Sequence, residues 1–224
     1  MSRWRAGAVL AVAVLVTCLS GCSGDQTPFA PAAPDIEVDT PEMVALKAEI
    51  GMEDCASVVP EPTSGPVAGG LPEVTLPCLG GGSDVDLSTL RGPMMINLWQ
   101  AWCTPCVKEM PALQEFHEQY GDQVAVLGID FNDVRPLAAL ELAQQTGARY
   151  PSLTDPGAEL TPHDAFKYAR AGLPAFAFID ADGVVVGGAN NLDGQAITTL
   201  DDVVALVDTH LDLDVTAAQP GGRR

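Results

Sequence analysis

Residues 94–106 read MMINLWQAWCTPC, and this stretch decides the fold. The apolar run 94–102 lacks the alternation of a half-exposed strand, so it predicts a central strand buried on both faces. The residues that follow predict an amphipathic helix, because apolar side chains recur at intervals of four and three at Cys106, Met110, Leu113, Phe116 and Tyr120. The two cysteines, Cys103 and Cys106, therefore lie where a buried strand passes into a helix.

The flanking sequence predicts a mixed α/β sheet. Short strands around 74–76 and 85–87, separated by Gly80–Ser83, predict a β-hairpin before the central strand. After it we expect a strand at 124–130, helices at 137–146 and 162–171, and a helix at 197–211. Strands at 175–180 and 184–189 are expected to form a hairpin around a turn at Asp182–Gly183. This order is typical of a mixed central sheet flanked by helices.

Length and charge exclude some functions. The 224 residues suffice for a well-buried core, and 11 Lys and Arg against 30 Asp and Glu give a net charge of −19. Few basic residues are available to neutralise phosphates, so nucleic-acid binding is excluded.

The amino terminus predicts export. Arg3 and Arg5 precede an apolar run at 6–19 that is too short to span a bilayer comfortably, which is typical of a secretory signal peptide. Leu19–Cys22 (LSGC) resembles the lipobox of bacterial lipoproteins, which implies removal of residues 1–21 and a lipid on Cys22. The alternative is an uncleaved short anchor with an incidental cysteine. Both place the chain outside the cytoplasm, anchored to the cell membrane or secreted.

The remaining chain divides into three predicted parts. Residues 22–70 are rich in Pro and Gly and predict a linker, with a short helix at 41–50 that has Thr40 as its cap. The main domain is expected over 71–215, and 216–224 is expected to be a disordered tail.

The Cys-x-x-Cys pair predicts redox chemistry. A helix dipole and unpaired backbone N–H groups favour a thiolate at the first cysteine, so Cys103 is the expected exposed nucleophile. Cys106, one turn into the helix on its apolar stripe, is expected to be shielded and to resolve a mixed disulfide.

Other roles for this pair are an inert disulfide, a zinc site and a copper-binding chaperone. A zinc site is disfavoured because there is no second Cys-x-x-Cys and His117, His163 and His210 lie at no ligand spacing. No histidine or methionine motif accompanies the dithiol to support copper binding. We expect no metal and no cofactor. A peroxidase is excluded because no Pro-x-x-x-Thr-x-x-Cys loop precedes Cys103.

Cys55 and Cys78 are expected to form a structural disulfide. It would tie the segment before the main domain to the first hairpin and contribute about 3 kcal/mol in the loop-entropy model. A second redox-active pair is the alternative.

Several motifs together resemble a known family. WCTPC at 102–106 after a buried strand, with Pro111 in the helix, resembles thioredoxin. The wider pattern is similar to the membrane-anchored thiol-disulfide oxidoreductases of the TlpA/ResA kind; it comprises LPEVTL at 71–76, LSTLRG at 87–92, Glu109–Pro111 and GLPAFAFIDADG at 172–183. The resemblance covers residues 71–212.

The resemblance implies a thioredoxin fold with an N-terminal β-hairpin extension, and roles for several residues. Pro174 matches the cis-proline that faces the dithiol, and the backbone of Leu173 would pair with a substrate peptide. Trp102, Thr104 and Pro105 would line the substrate site. Glu109, three residues past Cys106 on the same helical face, would accept the proton of that thiol; its alternative is a solvated helix residue.

The implied function is reduction of disulfides in exported proteins that carry cysteine pairs, for example apocytochrome c. A membrane thiol-disulfide donor would recharge the enzyme. The chain departs from the family pattern at Thr104, between the two cysteines, where the intervening residues tune the redox potential. The alternative is therefore an oxidase that installs disulfides. It also departs at Ala175, after the proline, which is smaller than the usual threonine and affects the expected substrate contacts.

Overall fold

The computed structural model describes residues 36–60, 65–190 and 197–217. The predicted signal peptide at 1–21, Cys22 and the end of the predicted tail at 218–224 lie outside the described residues. No helix within the described ranges is both long and apolar enough to cross a bilayer.

A five-stranded mixed sheet forms the centre of the fold, and it confirms the predicted sheet flanked by helices. The strand order is β5-β4-β3-β6-β7. β3, β4 and β5 run parallel, whereas β6 is antiparallel to β3 and β7 is antiparallel to β6. The strands are β3 (Met94–Trp99), β4 (Ala125–Phe131), β5 (Ser152–Asp155), β6 (Ala175–Ile179) and β7 (Val185–Asn190).

β3 is buried along its whole length, as its unbroken apolar sequence predicts. Its side chains alternate between two faces, so Met95 and Trp99 pack with the helices while Ile96 and Leu98 pack on the opposite side. The strand ends at Trp99, three residues earlier than predicted, because Ala101 and Trp102 form a turn. The helical face is covered by α1 (Pro41–Ile50), α2 (Thr104–Tyr120), α3 (Pro136–Thr146) and α4 (Leu200–Leu211).

The opposite face of the sheet carries the predicted β-hairpin. β1 (Thr75–Leu76) and β2 (Val85–Asp86) pair antiparallel, and their buried side chains belong to the apolar cluster on this face. A 3-10 helix at Asp164–Arg170 also covers it. The sequence predicted an α-helix there, but Phe166 leaves helical backbone angles and interrupts the segment.

The helix predicted inside the linker forms and packs on the domain. The side chain of Thr40 caps α1 by accepting a hydrogen bond from the backbone N–H of Met43 at 3.3 Å, and Gly51, in the left-handed conformation, ends the helix. Met43 is buried in the same apolar cluster as α2 and α3. Residues 36–60 therefore belong to the compact unit that begins at Asp35.

The chain between Gly69 and Leu79 reaches both edges of the sheet. Gly70 forms an antiparallel bridge with Val184 beside β7, and Cys78 forms one with Leu153 of β5. The backbone N–H of Leu79 also donates to the carbonyl of Ser152 at 2.9 Å. Both outer strands are thus paired, over part of their length, with this one segment.

Candidate active site

The two cysteines of the Cys-x-x-Cys motif form a disulfide where β3 passes into α2. The S–S distance is 2.03 Å and the Cα–Cα distance is 5.2 Å. Cys103 is the N-cap of α2, and its Sγ accepts a hydrogen bond from the backbone N–H of Cys106 at 3.3 Å. Cys103 is 8% exposed and Cys106 is fully buried. Cys103 is thus the more accessible sulfur, but it is less exposed than the sequence predicted because it is held against the helix end.

Three side chains predicted to contact substrate surround the disulfide at the surface. Trp102 is 61% exposed, although it lies beside a buried strand, and Thr104 and Pro105 are exposed in the first turn of α2. An exposed tryptophan next to a cysteine pair offers apolar contact area to an approaching polypeptide.

Sheet register brings Pro174 to the dithiol. The Leu173–Pro174 peptide bond is cis. Ala175 pairs with Leu98, so Pro174 lies level with Trp99, where the chain leaves β3 for the active-site turn. Pro174 is buried, and the half-buried Leu173 packs against the apolar cluster that contains both cysteines. The resemblance places these two residues at the substrate site, and that role stays a prediction.

Glu109 is fully buried within α2, so it is not a solvated helix residue. Asn97 of β3 donates a hydrogen bond from Nδ2 to Oε1 of Glu109 at 2.8 Å. The second carboxyl oxygen, Oε2, has no hydrogen-bond partner among the described residues. Burial raises the pKa of Glu109 well above its usual value, and the hydrogen bond from Asn97 opposes this rise only in part.

Two further buried polar groups belong to the same core cluster as α2, and no sequence pattern predicted a polar role for either. Within the described residues, neither Trp99 Nε1 nor the hydroxyl of Tyr150 has a hydrogen-bond partner. Burial raises the pKa of Tyr150, and the charge of Glu109 raises it further. Gly128 leaves space beside these groups, because a Cβ there would lie 2.9 Å from Trp99 Nε1 and would overlap the Ser152 hydroxyl.

The loop between β4 and α3 fixes the active-site turn. Asp133 accepts a hydrogen bond from the backbone N–H of Ala101 at 3.0 Å, and Gln100 donates from Nε2 to the carbonyl of Asn132 at 3.0 Å. Asp133 is buried, and its charge helps to raise the pKa of neighbouring Asp130, after the larger effect of burial. These contacts join residues about thirty positions apart, so the local sequence pattern does not predict them.

A second disulfide joins Cys55 to Cys78 on the opposite face of the sheet. The S–S distance is 1.93 Å, the Cα–Cα distance is 5.8 Å, and both cysteines are buried. Within the described part of the chain, no cluster of three or more His, Cys, Asp or Glu side chains is arranged to hold a metal ion.

The fold and the site together define a class of protein. A dithiol begins the helix after a central strand, and a cis-proline begins the adjacent antiparallel strand; this arrangement is that of a thioredoxin-fold protein with a dithiol-disulfide site. The sequence profile of the AhpC/TSA family matches residues 67–187, more than half of the chain. The chain belongs to that family.

Individual relatives confirm the predicted resemblance to the ResA kind. The thiol-disulfide oxidoreductase ResA of Bacillus thuringiensis is 31% identical over 107 residues, which are 47% of this chain and 59% of that protein. ResA of Geobacillus kaustophilus is 28% identical over 145 residues, 64% of this chain and 80% of that protein. A solved structure, a secreted Mycobacterium tuberculosis disulfide oxidoreductase homologous to E. coli DsbE, is 24% identical, with 61% and 96% coverage and a TM-score of 0.49. The match to the first relative spans about three fifths of its length.

We predict that Glu109→Gln alters the pH dependence of stability. The unfolded chain releases the Glu109 proton near the usual pKa of 4.5, whereas the folded protein retains it to higher pH. The folded state thus binds more protons, and this group lowers wild-type stability as pH rises, by up to about 1.4 kcal/mol per pH unit. Urea unfolding from pH 4 to 8 should show that the free energy of unfolding of Glu109→Gln rises relative to that of wild type as the pH increases.

Glu115→Gln is the matched control, because Glu115 is exposed on the same helix. It removes one exposed carboxyl from α2, and the pH dependence of Glu109→Gln is compared with that of this variant. A Glu109→Gln difference from wild type that varies with pH no more than that of Glu115→Gln would contradict a raised pKa for the buried carboxyl.

Proposed function

We propose that this protein is an extracytoplasmic thiol-disulfide oxidoreductase that exchanges disulfides with exported proteins. The observation that carries the proposal is the Cys103–Cys106 disulfide at the amino end of α2, in which Cys103 is 8% exposed and Cys106 is fully buried. Relatives named thiol-disulfide oxidoreductase ResA support the same chemistry.

In the reductive direction the dithiol form begins the reaction. The Cys103 thiolate attacks a substrate disulfide, the substrate S–S bond breaks, and one substrate sulfur leaves and takes a proton. Cys106 then loses its proton and attacks Cys103 Sγ, which releases the second substrate sulfur. Two electrons pass to the substrate, and the enzyme ends with the disulfide seen in the structure. The amino end of α2 and the Cys106 N–H favour the Cys103 thiolate.

Glu109 is the group we assign to the proton of Cys106. The two residues are three positions apart on one face of α2, and both are fully buried. Burial raises the pKa of Glu109, which brings the carboxyl closer to the range of a thiol and makes it a better acceptor for the Cys106 proton. Asn97 holds the carboxyl from β3 through Oε1.

The substrate is proposed to lie across the cis-proline. The backbone of Leu173 would pair with an extended substrate segment next to its cysteine, and Trp102, Thr104 and Pro105 would contact its side chains. By the resemblance to the TlpA/ResA kind, the substrate class is exported proteins with cysteine pairs, apocytochrome c among them. A membrane thiol-disulfide donor would return the enzyme to its dithiol form.

We predict that Cys106→Ser traps substrates covalently. Without the resolving sulfur, the mixed disulfide on Cys103 persists, and non-reducing gels followed by mass spectrometry should show adducts that dithiothreitol releases. Cys103→Ser, which lacks the nucleophile, is the control and should give none. Both variants should lose reduction of insulin disulfides. Equal adducts from both variants would contradict the assignment of Cys103.

The direction of electron flow is tested by the reduction potential of Cys103–Cys106. A reductant should equilibrate with glutathione at a value well below about −220 mV, whereas a value near about −120 mV indicates the alternative, an oxidase. Site-specific alkylation and mass spectrometry measure the ratio of reduced to oxidised Cys103–Cys106 separately from that of the Cys55–Cys78 pair.

We propose that Cys22 anchors the protein by a lipid after removal of residues 1–21. In a host that processes lipoproteins, wild type should incorporate labelled fatty acid and lose residues 1–21, whereas Cys22→Ser should incorporate none. Cys18→Ser, within the apolar run of the leader, is the matched control and should be labelled like wild type. A wild-type protein that carries no fatty acid and keeps residues 1–21 would indicate the alternative, an uncleaved anchor.

A further inference from the structure

A lysine ammonium lies directly against the Cys55–Cys78 disulfide. Lys47 of α1 is only 8% exposed, and its Nζ donates to Cys78 Sγ at 3.0 Å and to the carbonyl of Gly81 at 2.6 Å. The backbone N–H of Cys55 also donates to Cys78 Sγ, at 3.3 Å. Two donors, one of them cationic, thus converge on the same sulfur.

The two sulfurs of this disulfide have different surroundings. Cys55 Sγ lies 3.3 Å from the carbonyl oxygen of Ser152, whose partial charge is negative. The same carbonyl is farther from Cys78 Sγ, at 3.7 Å. A negative charge is therefore better stabilised on Cys78 than on Cys55.

While the Cys55–Cys78 disulfide is intact, nearby negative charge offsets only part of the cost of burying the Lys47 ammonium. Burial lowers its pKa, and the Asp54 carboxylate raises it by a smaller effect. A neutral disulfide gives the ammonium no ionic partner, whereas a thiolate at 3.0 Å would form a buried ion pair with it. The same contact thus stabilises the reduced state more than the oxidised state.

From this geometry we infer that Cys55–Cys78 is a second redox site, reducible by a dithiol, in which Cys78 is the leaving sulfur and Lys47 holds it as a thiolate. This inference does not depend on the function proposed for Cys103 and Cys106. It favours, over a purely structural bridge, the alternative of a second redox-active pair.

The reaction consumes one dithiol. A thiolate of the reductant attacks Cys55 Sγ, the Cys55–Cys78 bond breaks, and Cys78 leaves as a thiolate paired with Lys47. The second thiol of the reductant loses its proton and attacks the mixed disulfide, so the reductant becomes a disulfide and Cys55 takes a proton. Two electrons pass to the pair, and one proton is released to solvent. Because both sulfurs are buried, attack requires local opening of the chain around the 3-10 helix at Cys55–Val58.

The test measures the redox equilibrium of this pair in the full-length protein. Wild type, Lys47→Met and Lys167→Met are equilibrated with dithiothreitol and its oxidised form at pH 7.5, alkylated, and analysed by mass spectrometry of the fragments that carry Cys55 and Cys78. Lys47→Met keeps an unbranched side chain but removes the ammonium. Lys167 is exposed, so Lys167→Met controls for the loss of one positive charge.

We expect Lys47→Met to shift the equilibrium constant about tenfold toward the disulfide, and Lys167→Met to leave it unchanged. A role of Lys47 limited to holding the Gly81 carbonyl predicts a different result. That bond would be lost from both the oxidised and the reduced folded states, so stability would fall while the redox equilibrium stayed the same. A Lys47→Met shift smaller than fivefold would overturn the inference.

A second measurement uses wild type alone, so it tests the inference even if Lys47→Met fails to fold. In the reduced protein, the rate of alkylation is followed against pH for each cysteine. We expect the alkylation rate of Cys78 to rise at a lower pH than that of Cys55, because Lys47 and the Cys55 N–H stabilise the Cys78 thiolate. Coincident profiles, or Cys55 rising first, would overturn the inference.

Discussion

The pairing of β3 between β4 and β6 is the constraint on which the site depends. β3 is buried on both faces, so its register with each neighbour is fixed by packing, and a slip of one residue would turn Asn97 and Trp99 to the wrong face. The parallel partner β4 supplies the loop whose Asp133 binds the backbone of Ala101. The antiparallel partner β6 begins directly after the cis-proline, Pro174. One buried strand thus positions the dithiol, the turn before it and the start of β6.

The same strand presents a polar layer under the dithiol, where an apolar core is otherwise the rule. Asn97, Glu109, Trp99 and Tyr150 are all fully buried, and each has at least one polar atom without a hydrogen-bond partner within the described residues. Such groups lower stability, and the proton transfer that we propose for Glu109 would account for their presence. Only the Asn97–Glu109 bond is formed inside this layer. Trp99 Nε1 and the Tyr150 hydroxyl make no hydrogen bond to the Glu109 carboxyl, so Oε2 can gain or lose a proton without breaking one.

Local sequence patterns predicted the main elements because the signals were strong and short in range. The unbroken apolar run of β3, the stripe along α2 and the Asp182–Gly183 turn each act within a few residues, and the resemblance added Pro174. The boundary errors also have local causes: α4 begins at Leu200 rather than at 197 because Thr199 and Asp202 form a capping box. Such local patterns do not predict contacts between residues that are far apart in the sequence. Asp133 with Ala101, and Lys47 with Cys78, join positions more than thirty residues apart whose approach depends on the finished sheet.

The segment from Gly69 to Leu79 has a consequence for molecules held close together. Edge strands with free backbone groups invite the strands of neighbouring molecules to add to a sheet, and this is a common route to aggregation. Here one stretch of chain occupies part of the outer edge at β5 and part of the other at β7. A protein concentrated on a surface by an anchor would meet its own copies often. With both edges of the sheet partly covered, such encounters offer less free backbone for pairing between molecules.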